Sequence, residues 1–191
     1  IYPDPIQIVK AVEVIKKSKQ PIIISGGGVL YSEAEKELSA FAKKHNIPVT
    51  PTVMGIGCMD RDDPYNIGPI GGLGVGSANS LSKDTDLAIA VGTKLGDFTT
   101  GSWTNFQNPD FKLVSINAAR FDVTKHQATP VVSDAKIGLN EISKSLGDWK
   151  APDHWYQRAV KEAKEWDQYV EKQSGPTNQG VPSYAHAVGA V

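Results

Sequence analysis

Two short apolar runs that break abruptly into glycine constrain this chain most: Pro21-Ile-Ile-Ile-Ser25 before Gly26-Gly27-Gly28, and Asp86-Leu-Ala-Ile-Ala-Val91 before Gly92. Runs of this length, rich in β-branched residues and closed by a turn signal, are the pattern of buried strands. Similar but weaker runs lie at about 48–53, 66–70, 112–117 and 129–132. Six short strands are therefore expected.

Helical patterns fill the gaps between them. Asp4-Pro5 starts the first, because Asp caps a free N–H and Pro at the first helical position has none to waste. Ile8, Ala11, Val12 and Ile15 then share one face, and the helix should end near 17–19. Ser32-Glu-Ala-Glu35 has the form of a capping box opening a second helix with Leu38, Phe41 and Ala42 on its buried side. A third helix is expected over about 77–83. A fourth begins near Ser133 or Asp134 and buries Ala135, Leu139, Ile142 and Leu146. Strands alternating with helices at this spacing predict an α/β fold, a doubly wound Rossmann-like parallel sheet of about six strands with flanking helices. Right-handed crossovers would set the glycine turns along one edge of that sheet.

The texture changes after Gly147. Trp155, Ala159, Ala163, Trp166 and Val170 mark one face of a long, charge-rich helix reaching about Gln173, and a turn-rich stretch follows over 174–182. Two tryptophans on a solvated helix need a surface to cover. That surface is expected on another domain or subunit, with folding back onto the helix's own domain as the alternative. Pro182-Ser183 then opens a helical pattern of Tyr184, Ala187, Val188 and Val191. The reading is a domain over 1–147, a helix and linker over 148–182, and the start of a further domain over 183–191. An N-terminal Ile1 and a helix still running at Val191 suggest a piece of something longer.

Charge and composition exclude several classes. Twenty Lys and Arg balance 21 Asp and Glu, so the net charge of -1 attracts neither nucleic acid nor an anionic membrane. No apolar run approaches membrane-spanning length, and the chain reads as cytoplasmic. Cys58 is the one cysteine, and a buried, idle thiol is its expected role. His45, His126, His154 and His186 are too scattered for metal-ligand spacing.

Glycine turns after parallel strands are where nucleotide phosphates bind, since the backbone can approach the ligand and the next helix offers free N–H groups. The turns at 26–28 and 71–76 both qualify, but equally serve close helix-to-sheet packing. Both break the G-x-G-x-x-G fingerprint, with Tyr31 and Ser77 in place of the third glycine. Pro51-Thr-Val-Met54 stands where a ribose-binding acid would follow the second strand. Walker, nucleophile-elbow and H-E-x-x-H motifs are absent, so no catalytic or metal-binding residue is assigned. Asp97, Asp122 and Asp134 follow strand ends, where carboxylates commonly cap helices.

Three blocks in order, Pro21-Ile-Ile-Ile-Ser-Gly-Gly-Gly28, Ile70-Gly-Gly-Leu-Gly-Val-Gly-Ser-Ala-Asn79 and Asp86-Leu-Ala-Ile-Ala-Val-Gly-Thr-Lys-Leu-Gly-Asp97, resemble the middle domain of thiamine diphosphate enzymes such as acetolactate synthase and glyoxylate carboligase. The likeness covers about 3–146. Within that family, Gly26-Gly-Gly-Val-Leu-Tyr-Ser32, Asp97-Phe-Thr-Thr-Gly-Ser-Trp103 and Asn117-Ala-Ala-Arg-Phe-Asp-Val-Thr-Lys-His126 are most similar to the hydrolases that open a cyclic dione in myo-inositol breakdown. The resemblance implies thiamine diphosphate and magnesium, both held by flanking domains of the same chain, with 183–191 beginning the cofactor-binding domain that follows. It also implies a homodimer or homotetramer, and a cofactor acting as electron sink while a carbon–carbon bond is hydrolysed. This piece alone would be inactive.

Relatives that hold FAD in the middle domain do so against segments matching Gly27, Gly28, Gly72, Gly74, Gly92, Thr93 and Asn117, which are the candidate cofactor-binding residues here. Ser115-Ile116-Asn117 replaces the family's Asp-Ile-Asp-like motif, so no flavin is expected. The alternatives are an FAD- or ADP-binding domain of a carboligase or decarboxylase, a stand-alone nucleotide module, or an interaction domain using Trp155 and Trp166.

Overall fold

The computed structural model describes residues 1–176 and 180–190. Val191 and residues 177–179 of the turn-rich stretch lie outside them. Chain order is α1 (Pro5–Lys17), β1 (Pro21–Ser25), α2 (Gly27–Tyr31), α3 (Glu35–His45), β2 (Val49–Pro51), α4 (Gly76–Asp84), β3 (Leu87–Val91), α5 (Asp97–Thr100), β4 (Lys112–Asn117), α6 (Arg120–Val123), β5 (Thr129–Val132), α7 (Ala135–Leu146), α8 (Asp153–Ser174) and α9 (Tyr184–Gly189). The strands form one parallel sheet in the order β2-β1-β3-β4-β5.

Every residue of β1 and β3 is buried, because a parallel sheet is covered on both faces. Successive side chains point to opposite faces and split the interior into two cores. Ile23, Leu87, Ile89, Val91, Val114 and Ile116 pack with Ile15 of α1, Phe41 of α3 and Leu139 of α7. Ile22, Ile24, Ala88, Ala90 and Leu113 pack with Leu81 of α4 and with Trp155 and Ala159 of α8. Asp4 caps α1 by accepting from the Ile6 N–H at 2.8 Å, and Asp134 caps α7 by accepting from the Lys136 N–H at 3.0 Å. On the amino edge, the Asp86 carboxylate accepts from the Ser18 hydroxyl and the N–H groups of Lys19 and Gln20, tying the turn before β1 to the start of β3.

Five strands form, in keeping with the expected parallel sheet of about six. The 66–70 segment follows β2 only briefly, with Val49 N–H donating to Tyr65 O and Ile67 N–H to Val49 O. Asn66 makes an isolated parallel bridge with Val49. Gly68, at φ 86°, then swings the chain out of the extended line, and Pro69 has no N–H, so the ladder is broken before the Ile70 N–H returns to Pro51 O at 3.0 Å. The capping box also does not form. Helix α2 starts directly off β1 and places Ser32 at its end, where its N–H donates to Gly28 O and its hydroxyl to Asp134 Oδ2 at 2.8 Å. Glu33 takes φ 50°, and Ala34 stands at the N-cap of α3.

Helix α8 folds back on its own domain instead of standing out as a strut. Trp155 is buried in the second core, and its indole N–H donates to Pro21 O at 2.8 Å. Farther along, Trp166 lies against α4, where a Cβ on Gly76 would stand 2.5 Å from its ring. Only the last turns, with Tyr169 and Val170, leave large apolar groups exposed.

Candidate functional site

In the strand order β2-β1-β3, the chain moves one way from β1 to β2 and the other way from β1 to β3. The connections at this reversal diverge, and a crevice opens beyond the carboxyl ends of the strands. Here it is a cleft of about 600 Å³. Gly27 and Gly28 enter it from β1, Thr52 and Met54 from β2, Gly92 and Thr93 from β3, and Asn117 from β4.

The floor is made by backbone meeting backbone. Gly26 N–H donates to Val91 O at 2.8 Å, Gly28 N–H to Gly92 O at 2.9 Å, and Val29 N–H to Gly26 O at 3.0 Å. A Cβ on Gly28 would lie 2.6 Å from Gly92 Cα, while Gly92 itself has φ 61°. These glycines therefore have a packing role that needs no ligand, and three amides of the first turn are already spent inside the protein.

Asn117 is likewise engaged. Its Nδ2 donates to Thr93 O at 3.2 Å and its Oδ1 accepts from the Ala119 N–H at 2.9 Å, which ties the ends of β3 and β4 together. Gly72 and Gly74 lie outside the cleft wall, in a turn clamped by Asn79. The Gly71 N–H donates to Asn79 Oδ1 at 2.9 Å, and Asn79 Nδ2 donates to Gly71 O at 3.0 Å. From this turn the Gly72 N–H reaches Phe98 O at 2.7 Å, so it holds Phe98 against the cleft.

Of the seven expected residues, the fold thus gathers Gly27, Gly28, Gly92, Thr93 and Asn117 and leaves Gly72 and Gly74 one layer away. It adds Thr52, Met54, Tyr31 and Phe98, none of which the sequence marks as a site residue. The first two were visible only as the residues after a strand end. Of the carboxylates after strand ends, Asp134 caps α7, Asp122 lines the cleft while paired with Lys125 at 2.8 Å, and Asp97 lines it at the start of α5.

Cys58 is not poised as a nucleophile. It is fully buried with Sγ 3.4 Å from Gly26 O, and burial pushes its thiol up to about 11. Among the described residues no three His, Cys, Asp or Glu side chains cluster to hold a metal ion, and no helix is long and apolar enough to cross a membrane.

A doubly wound parallel domain with a cleft at the carboxyl edge of its sheet defines the class. A family model described as "Thiamine pyrophosphate enzyme, central domain" matches residues 8–142, and the chain belongs to that family. Among curated relatives, the 3D-(3,5/4)-trihydroxycyclohexane-1,2-dione hydrolase of Clostridium tetani is 42% identical over 180 residues, covering 89% of this chain and 28% of the relative. The proteins of the same name from Clostridium botulinum and Geobacillus thermodenitrificans are 45% identical over 137 residues and 36% over 194. They are covered to 21% and 30% of their length, and this chain to 72% and 94%. The chain therefore spans less than a third of the relatives it matches.

Proposed function

We propose that this chain is the non-catalytic central domain of a thiamine diphosphate and magnesium dependent hydrolase that cleaves a carbon–carbon bond of a trihydroxycyclohexane-1,2-dione in inositol catabolism. The identity to the Clostridium tetani hydrolase along 89% of the chain carries this reading. Among the described residues no three His, Cys, Asp or Glu side chains cluster as a metal site, so the ligands of thiamine diphosphate and magnesium are assigned to the flanking domains. No chemical step is assigned to the residues of this chain. Their work is to hold neighbouring domains in place, in a homo-oligomeric, cytoplasmic enzyme. The packed unit is proposed to run through α8, because Trp155 and Ala159 belong to its core, with the next domain beginning near 183.

The test is to assay the full-length protein, with thiamine diphosphate and magnesium, for loss of the cyclic dione and appearance of the ring-opened acid. Turnover by the full-length protein and none by residues 1–191 is expected. Full-length protein that leaves the dione untouched while acting on a 2-oxo acid would overturn the substrate assignment.

The convergence of Gly27, Gly28, Gly92, Thr93 and Asn117 on one cleft favours a second reading, a nucleotide site in the same place. Against it stand the spent amides and the amide of Asn117 where a carboxylate would grip an adenosine. A rise in melting temperature on adding FAD or ADP would support the second reading.

A further inference from the structure

Exposed large apolar side chains recur on this surface with a pattern. Tyr31 on α2 after β1 is 89% exposed, Met54 after β2 71%, Phe98 on α5 after β3 74%, and Phe121 on α6 after β4 77%. Four successive strand ends thus each present at least one such residue on the same edge of the sheet, with Val53 and Ile56 also exposed after β2. The opposite, amino edge exposes Lys19, Asp84, Asp110 and Lys112 instead. Single exposed apolar residues are ordinary, whereas a contiguous set ringing a concavity marks a surface that something covers. Tyr31, Met54 and Phe98 line the mouth of the carboxyl-edge cleft, so the covering body meets both an apolar rim and a hollow. The charges there are few and mixed: Lys94, Asp97, and Asp122 paired with Lys125. Such a rim suits a largely apolar partner and gives no electrostatic grip on an acidic or basic one.

We infer that this rim is the docking face for a cofactor-holding domain of the same, longer polypeptide, which lays an apolar loop or helix end across Tyr31, Met54, Phe98 and Phe121 and into the cleft. The inference rests on the reading of the chain as the central domain of a larger enzyme, and does not depend on the substrate. Three observations select that occupant. The family is defined as central, the Clostridium tetani relative is more than three times as long as the matched stretch, and the described residues hold no cluster of three or more metal-ligating side chains. On that reading, the groups that bind the cofactor are brought against this domain from elsewhere in the protein. The carboxyl edge, where loops can vary without disturbing the sheet, offers both the hollow and the apolar rim to receive them.

Hydroxyl-radical footprinting reads the claim directly, because Tyr, Met and Phe side chains oxidise in proportion to their exposure to water. Oxidation of Tyr31, Met54, Phe98 and Phe121 should fall several-fold in the full-length protein relative to residues 1–191, with Lys19 and Asp84 equally accessible to carboxyl and amine labels in both. Equal oxidation of the four in both proteins would overturn the inference. So would protection within residues 1–191 that grows with concentration alongside a doubled mass, which assigns the rim to a second copy, or protection that appears only with FAD or ADP. The dione assay is separate: a protected rim on a protein inactive toward the dione removes the substrate assignment and leaves the docking face standing.

Discussion

Gly28 and Gly92 lie in backbone contact, the N–H of the first donating to the carbonyl of the second at 2.9 Å, so the turns after β1 and β3 share one wall. A methyl on Gly28 would stand 2.6 Å from Gly92 Cα and 2.9 Å from its carbonyl oxygen, both backbone atoms that cannot swing aside. Gly28→Ala should cost about 1–3 kcal/mol by overpacking. Gly92→Ala meets the same clash at φ 61° and should cost about 1–2 kcal/mol more for the left-handed backbone. Urea midpoints followed by circular dichroism check both, and a neutral Gly28→Ala would show the contact to be looser than described.

Trp155 makes α8 part of the folded unit. It is 1% exposed and donates to Pro21 O. Trp155→Ala should destabilise by about 3–5 kcal/mol. Trp155→Phe keeps most of the bulk but strands a buried carbonyl, for about 1–3 kcal/mol. Ending the chain after Gly147 should behave like the Ala variant or worse, with lost cooperativity in thermal melts as the readout.

His45 gives the fold a sensitivity to acid. Its ring is fully buried, 2.7 Å from Trp149 O through Nδ1 and 2.9 Å from the Ser143 hydroxyl through Nε2. A carbonyl only accepts, so Nδ1 carries the proton and Nε2 accepts from Ser143 in the neutral ring. Burial, as the largest cause, lowers its pKa from the ordinary 6.5. The unfolded chain therefore takes up the proton first, and stability fully present above 6.5 declines as pH falls through that value toward the lowered one. Urea midpoints between about pH 8 and about pH 5 should fall, and should flatten in His45→Gln.

Cys58 should resist alkylation. Its thiol has no exposure, and burial raises its pKa to about 11, so at neutral pH it is protonated and out of reach. Iodoacetamide should modify it only in denaturant, at the rate of global unfolding. Rapid labelling of native protein would contradict the packing around Gly26.

The elements legible in the sequence were those whose signal is local. The runs at β1, β3, β4 and β5, and the Asp-Pro start of α1, announce themselves through residues that fold beside one another. Ser32 misled because its pattern fits a cap only if no helix has begun before it, and α2 already had. The 66–70 segment misled because one left-handed glycine and one proline undo a strand that composition permits. In the cleft, the glycines were visible by type, but their purpose was not. The contact of Gly28 with Gly92 joins positions far apart in the chain, and only the sheet order brings them together. Tyr31 stood in the sequence only as a break in a glycine fingerprint and Phe98 only as part of a family block, since their significance lies in the water they meet.

The reversal of winding at β1 has an evolutionary reach. The hollow beyond it is created by connectivity, because two loops leave adjacent strands in divergent directions whatever side chains they carry. Replacing its walls would alter what fits inside without abolishing the recess itself. A lineage could thus exchange a bound nucleotide for a neighbouring polypeptide, or empty the recess, while every strand kept its place.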